Sequence, residues 1–112
     1  KSAGLKNVLF ETDSYELVET SFIELNNLLK FLIKNPKIKI HIEGHTDNIS
    51  DDKHNLILSD NRAAKVYSYL VDRDISSERL SYKGYGENKP ISTNNTEKGR
   101  KQNRRTSFVI LP

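Results

Sequence analysis

Cysteine is absent from these 112 residues, which excludes a disulfide framework and thiolate chemistry. An oxidising compartment stays open, because a domain with enough core needs no cross-link. Long apolar runs are missing too. The longest, Leu28 to Ile33, is broken by Lys30 and falls far short of the roughly 20 residues that span a bilayer. The first residues lack the apolar stretch of a secretion signal, so any such signal is expected upstream. Charge of one sign is also scarce. Eighteen basic residues against 15 acidic ones leave a net charge of +3, too weak to imply a polyanionic partner. Tyr67, Tyr69, Tyr82, Tyr85 and the late arginines offer stacking and phosphate contacts. The acids spread along the chain argue against nucleic acid all the same. No Gly-x-Ser-x-Gly elbow or Ser-x-x-Lys element stands before an oxyanion loop, and no enzyme activity is expected.

With 35% hydrophobic residues, a chain of this length forms one domain that buries about two thirds of its unfolded surface. Leu5 to Phe10 reads as a strand, followed by a polar loop from Glu11 to Ser14. A helix is expected to start near Ser21, with Glu24 completing a capping box. Val18, Phe22, Leu25, Leu29, Leu32 and Ile33 would form its apolar stripe, and Asn35-Pro36 ends it. Lys37 to Gly44 alternates, with Ile38, Ile40 and Ile42 on one face and Lys37, Lys39, His41 and Glu43 on the other. That is a half-buried strand with a wet second face. Asp51 or Asp52 caps a second helix ending near Asp72, with Leu56, Ser59, Ala63, Val66, Tyr67 and Leu70 inward. Leu80 to Tyr85 is a third strand with Leu80 and Tyr82 inward, before a turn at Gly84 and Gly86. Thr96 caps a short helix through Asn103, and Arg105 to Leu111 is the last strand. The order β-α-β-α-β-(short α)-β implies an α+β fold. It is a two-layer α/β sandwich with a four-stranded mixed sheet and helices on one face.

Chemistry concentrates between Ile42 and Leu70. Asp47 leaves the end of a strand, and Arg62 lies two turns into the helix after Asn55, where its side chain reaches back to the loop. One reading is an ion pair that ties loop to helix. The other is a site for a zwitterion, a ligand with an amino group and a carboxylate on one carbon. His41, Glu43 and His45 share a strand face near Asp47 and His54, ligand types that suit zinc or copper. Lys37 and Lys39 extend the same face and no metal-site spacing occurs, so a solvated face without metal is the expectation.

Four segments together carry a family resemblance: Thr46-Asp47; Asn55-Leu56-Ile57-Leu58-Ser59-Asp60-Asn61-Arg62-Ala63; Gly84-Tyr85-Gly86-Glu87; and Asn103-Arg104-Arg105. From about Leu5 to Ile110 the chain resembles the OmpA-like C-terminal domain. It departs in the loop after Asn48, where Ile49 and Asp51-Asp52 stand and a glycine is common. The resemblance implies non-covalent binding of cell-wall peptidoglycan and no cofactor. Asp47 would accept hydrogen bonds from the ammonium of meso-diaminopimelate, and Arg62 would clamp its carboxylate. Thr46, Asn55 and Leu58, with Phe10, Thr12 and Asp13 of the first loop, would complete the ligand site. An arginine so placed should reject stems that carry lysine, which lacks the carboxylate. Arg104 and Arg105 would mainly tie the last strand to the loops, with a glycan contact besides.

On this resemblance residues 1–112 form one wall-binding domain cut from a longer envelope protein, outer-membrane or otherwise anchored. It would sit in the periplasm without entering the membrane itself, with other envelope proteins as further partners. The alternative is a protein-interaction module of the same fold that does not bind the wall.

Overall fold

The computed structural model describes residues 5–112. The elements run β1 (Val8–Leu9), α1 (Glu19–Lys34), β2 (Ile40–Gly44), α2 (Asp52–Val71), a 3-10 turn (Ser77–Arg79), β3 (Leu80–Gly84), α3 (Glu97–Asn103) and β4 (Arg105–Ile110). One mixed sheet forms in the order β1-β4-β2-β3. β2 and β3 are parallel with α2 as their crossover, while β4 runs antiparallel to both its neighbours. This is the expected α+β architecture. The core lies between the sheet and the helices, built from Leu25, Leu28 and Leu32 of α1, Ile40 and Ile42 of β2, Val66 and Leu70 of α2 and Phe108 of β4.

Asp51 is the residue that caps α2, its Oδ1 accepting from the His54 amide at 2.8 Å. Thr96 caps α3 through the Gly99 amide at 3.0 Å. Several boundaries and faces differ from expectation. β1 has only two residues, because β4 is its one neighbour and their ladder is two pairs long. β2 starts at Ile40, and Ile38 only packs against the core edge. α1 begins at Glu19 behind Val18, with no side-chain cap. Ser21 lies inside that helix, where its hydroxyl donates to the Leu9 carbonyl at 3.3 Å and ties α1 to β1. The capping box at Ser21 and Glu24 is therefore not formed, and the buried stripe is Ser21, Leu25, Leu28 and Leu32. Val18, Phe22 and Ile33 are exposed. On α2 Leu56 is half exposed and Leu58 faces inward instead. Tyr82 is on the helix side of edge strand β3, so it is only partly covered, packing on Tyr67 with ring centroids 5.0 Å apart.

The glycines set the distance between layers. Gly44 and Gly84 are register partners on β2 and β3. A Cβ on Gly44 would overlap the Ser59 carbonyl oxygen, and one on Gly84 would run into the Asp60 amide nitrogen. Backbone can thus lie directly on backbone. Asp60 Oδ1 accepts from the Gly84 amide at 2.9 Å, and Ser59 Oγ from the Gly86 amide at 2.8 Å. The first half of α2 is thereby fixed over the strand ends where β2 releases the Thr46-Asp47 loop.

Candidate functional site

Arg62 is fully buried, yet it does not pair with Asp47. Its Nε donates to the Ser14 carbonyl at 2.8 Å, Nη1 to His45 at 2.9 Å and Nη2 to Glu11 at 3.0 Å. One side chain on α2 so holds the turn after β1 and the end of β2. The Phe10 ring lies beneath it, 5.1 Å from the guanidinium carbon. A guanidinium has five N–H groups, so two stay uncommitted, enough for one carboxylate. Burial pushes the Arg62 pKa down to about 10, with Arg104 acting the same way against Asp47 and Asp13. It stays charged at neutral pH.

Asp47 is buried and bonded on both oxygens. Oδ1 accepts from the Ile49 amide at 3.1 Å, an Asx-type turn, and Oδ2 meets Arg104 Nη1 at 3.2 Å. The ion pair that ties this loop down is therefore Asp47–Arg104, not Asp47–Arg62. Arg104 also donates to Glu97 Oε2 at 2.9 Å and to the Phe10 carbonyl at 3.1 Å. Burial alone would lower its pKa, but its hydrogen bonds to Glu97 and Asp47 outweigh that and raise it. Asn55 Nδ2 reaches Glu87 Oε1 at 3.0 Å, the Ser50 carbonyl at 3.3 Å and the Asp47 carbonyl at 3.4 Å. It pins the Asp47–Ser50 loop to the turn after β3.

These groups surround a small cleft of about 20 Å³, lined by Thr12, Asp13, Asp47, Asn55, Leu58 and Arg62 together with Ile49, Ser50 and Arg104. That volume is on the scale of a single water. Six of the eight residues expected from the sequence thus meet at one place. Phe10 and Thr46 do not line it. Phe10 supports Arg62 from below, and Thr46 is buried with its hydroxyl on the Asp47 carbonyl at 2.8 Å. Arg104, Ile49 and Ser50 line the cleft without having been expected there. The Asn-Arg-Arg segment was the one available signal, and Arg104 both ties the loops and borders the cleft. Arg105 bonds the Lys89 carbonyl at 2.9 Å and Ser107 Oγ at 3.1 Å, away from the cleft.

Two cleft residues, Asp13 (φ 55°) and Ser50 (φ 73°), occupy the left-handed region that disfavours a side chain. A larger depression of about 450 Å³ lies between β1 and the start of α1. Its charged residues, Lys6 and Glu24, are not buried, and no paired charge lies in it among the described residues. The histidine face does not converge on a metal. His41 binds Ser81 Oγ at 2.7 Å and Tyr85 Oη at 3.0 Å. His45 is buried against the Tyr85 ring instead of facing water. Among the described residues no group of three or more His, Cys, Asp or Glu could hold a metal ion, and no helix is long and apolar enough to cross a membrane.

Comparison with known proteins agrees with this fold. The chain is 36% identical over 104 residues to outer membrane porin F of Pseudomonas fluorescens, covering 93% of this chain and 32% of that protein. It is 33% identical over 103 residues to the peptidoglycan-binding protein ArfA of Mycobacterium tuberculosis, covering 92% of this chain and 32% of that protein. The chain thus spans about a third of the length of these relatives. Among solved structures, the peptidoglycan-associated lipoprotein from Burkholderia pseudomallei superposes with a TM-score of 0.88 at 27% identity, covering 95% of this chain and 90% of that one. Residues 9–104, from β1 to the cleft arginine Arg104, match the OmpA family. With β2, β3, the α2 crossover between them and the residues of the Asp47–Arg62 cleft all inside that match, the chain belongs to the OmpA family.

Proposed function

We propose that this domain binds peptidoglycan without catalysis, by holding the diaminopimelate of the peptide stem, and anchors an outer-membrane or other envelope protein to the wall from the periplasm. The observation that carries the reading is one cleft with a buried arginine that keeps two free N–H groups beside a buried carboxylate. Arg62 offers a planar fork for the ligand carboxylate, and Asp47 and Asp13 offer oxygens for its ammonium. Thr12, Asn55 and Leu58 wall the space between, while Phe10 and Thr46 support the groups that do the holding. A relative named for peptidoglycan binding and a structural neighbour named for peptidoglycan association support the same ligand class. The length of the relatives supports residues 1–112 being one wall-binding unit of a longer envelope protein. A weak single site would still retain such a protein, since the wall repeats the stem at high local density.

The test is a calorimetric or NMR titration with a diaminopimelate-containing stem peptide beside its lysine counterpart. Saturable binding of the first alone is expected, with shifts at Asp47, Asn55 and Arg62. Binding of both would remove the selectivity assigned to Arg62. The narrowness of the cleft favours one alternative, a protein-interaction module of the same fold, and binding of neither peptide would overturn wall anchoring and leave that alternative to be tested with protein partners.

A further inference from the structure

At the mouth of the cleft, His54 Nε2 lies 2.6 Å from Asp13 Oδ1. An ionised carboxylate only accepts, so the ring nitrogen carries the proton. Asp13 is the third residue of the Glu11–Ser14 turn, which closes with the Ser14 amide on the Glu11 carbonyl at 3.2 Å. Both ends of that turn are held by Arg62, so its backbone is fixed and the Asp13 side chain is the part free to move. Nothing else fixes that carboxylate: no other side chain or amide among the described residues bonds it. Asp47, deeper in the cleft, already serves Ile49 and Arg104 on its two oxygens. Asp13 keeps Oδ2 uncommitted, close enough for its charge to act on Arg62.

We propose that His54 is a positioning residue, holding Asp13 at the rim as the outer acceptor for the ligand ammonium. The assignment rests on the wall-binding reading above. It sets the division of labour in the cleft: Arg62 takes the carboxylate, and Asp13, aimed by His54, joins Asp47 in taking the amine on the same carbon. His54 is about half exposed in the first turn of α2, so its replacement leaves the core intact.

The experiment compares wild type, His54→Ala and His54→Gln in titrations with a diaminopimelate stem peptide and with the analogue acetylated on the side-chain amine. His54→Ala is expected to weaken binding of the free-amine peptide about two- to fivefold, the range for one exposed charged contact. His54→Gln, which restores an N–H donor, recovers most of the loss. The acetylated peptide shows no difference among the three proteins, which a general loosening of the fold would not produce. Unchanged or tighter binding by His54→Ala overturns the proposal while leaving wall binding intact. Absence of binding by wild type overturns the wall reading and this inference with it. A separate arm uses the free protein: scalar couplings should show one Asp13 rotamer in wild type and averaging in His54→Ala. Averaging already in wild type overturns the proposal without reference to any ligand.

Discussion

Two arginines at opposite ends of the molecule make the same kind of clamp. Arg62 donates to the carbonyls of Glu11, Ser14 and His45; Arg79 donates to those of Leu32, Asn35 and Ile38, at 2.8, 2.8 and 2.9 Å. Each gathers three backbone carbonyls from neighbouring segments, and each fixes where a strand meets a helix. The difference lies in the surroundings. Arg79 is half-buried and pairs with no carboxylate, whereas Arg62 is fully buried with Asp47, Asp13 and a second arginine about it. A carbonyl clamp is therefore a folding device, and it becomes a candidate site only where charges of both signs are gathered round it.

Replacing each clamp by alanine gives the largest expected effects and tests that contrast. Arg62→Ala removes a buried cation and leaves three carbonyls and Asp47 rearranged, a loss of about 3–5 kcal/mol in chemical unfolding. Arg79→Ala, nearer solvent, should cost about 1–3 kcal/mol through its unpaired carbonyls and leave stem-peptide binding unchanged. Equal loss of binding in both variants, scaled to stability, would show Arg62 to be structural only. Arg62→Ala alone is thus a poor test of the ligand site, because fold and site share one residue.

Asp47→Asn separates them. The amide keeps an acceptor for the Ile49 amide, and Arg104 keeps Glu97 and the Phe10 carbonyl. Stability should fall by about 1 kcal/mol, while stem-peptide affinity falls by roughly 2–4 kcal/mol for want of a charged acceptor. Affinity unchanged within twofold would remove Asp47 from the ligand site.

Much of this was legible in the chain, and the illegible parts have a common cause. The alternation ending at Gly44, the Asn35-Pro36 stop and the caps at Asp51 and Thr96 are local signals, and the structure realises them. The inner face of α2 was misread at Leu56 because its first two turns bury Asn55, Ser59 and Arg62 beside Leu58. Hydropathy marks Asn55 and Arg62 as outward, but each is bonded to backbone and belongs inside beside Ser59, which was expected there. Asp47 and Arg62 were legible as a meeting point from their motif. That Arg104 takes Asp47, while Arg62 takes carbonyls, depends on a contact 57 residues apart, which no spacing rule reveals.

His45 extends the comparison from arginines to a base buried without a partner. Neither ring nitrogen finds a hydrogen bond among the described residues, and burial, with Arg105 and Lys89 nearby, lowers its pKa from 6.5 to about 3. With the ring neutral, its 3.7 Å approach to Glu43 is not an ion pair. The unfolded chain binds this proton near pH 6.5 and the folded one only near pH 3. The stabilisation is therefore complete above pH 6.5 and is lost progressively as pH falls toward 3. At pH 5 the loss is about 2 kcal/mol relative to pH 8, read from denaturant midpoints, and His45→Gln should abolish that step. A slope unchanged in the variant would place the acid sensitivity elsewhere.

The rim of the cleft should respond in the opposite sense to its floor. Ser50 sits at φ 73°, exposed, on the loop that Asn55 pins by its carbonyl. That bond is to backbone, so Ser50→Gly keeps it while removing the Cβ that makes the conformation unfavourable. Glycine also gives the unfolded chain more freedom, which offsets part of the gain. The net expectation is a stabilisation of about 0.5–1 kcal/mol. If the left-handed geometry matters for the ligand only by shaping the loop, stem-peptide affinity stays within twofold. A destabilised Ser50→Gly would mean that the serine side chain, not the loop's carbonyl, holds this edge of the cleft, and the rim would then be built as tightly as the floor.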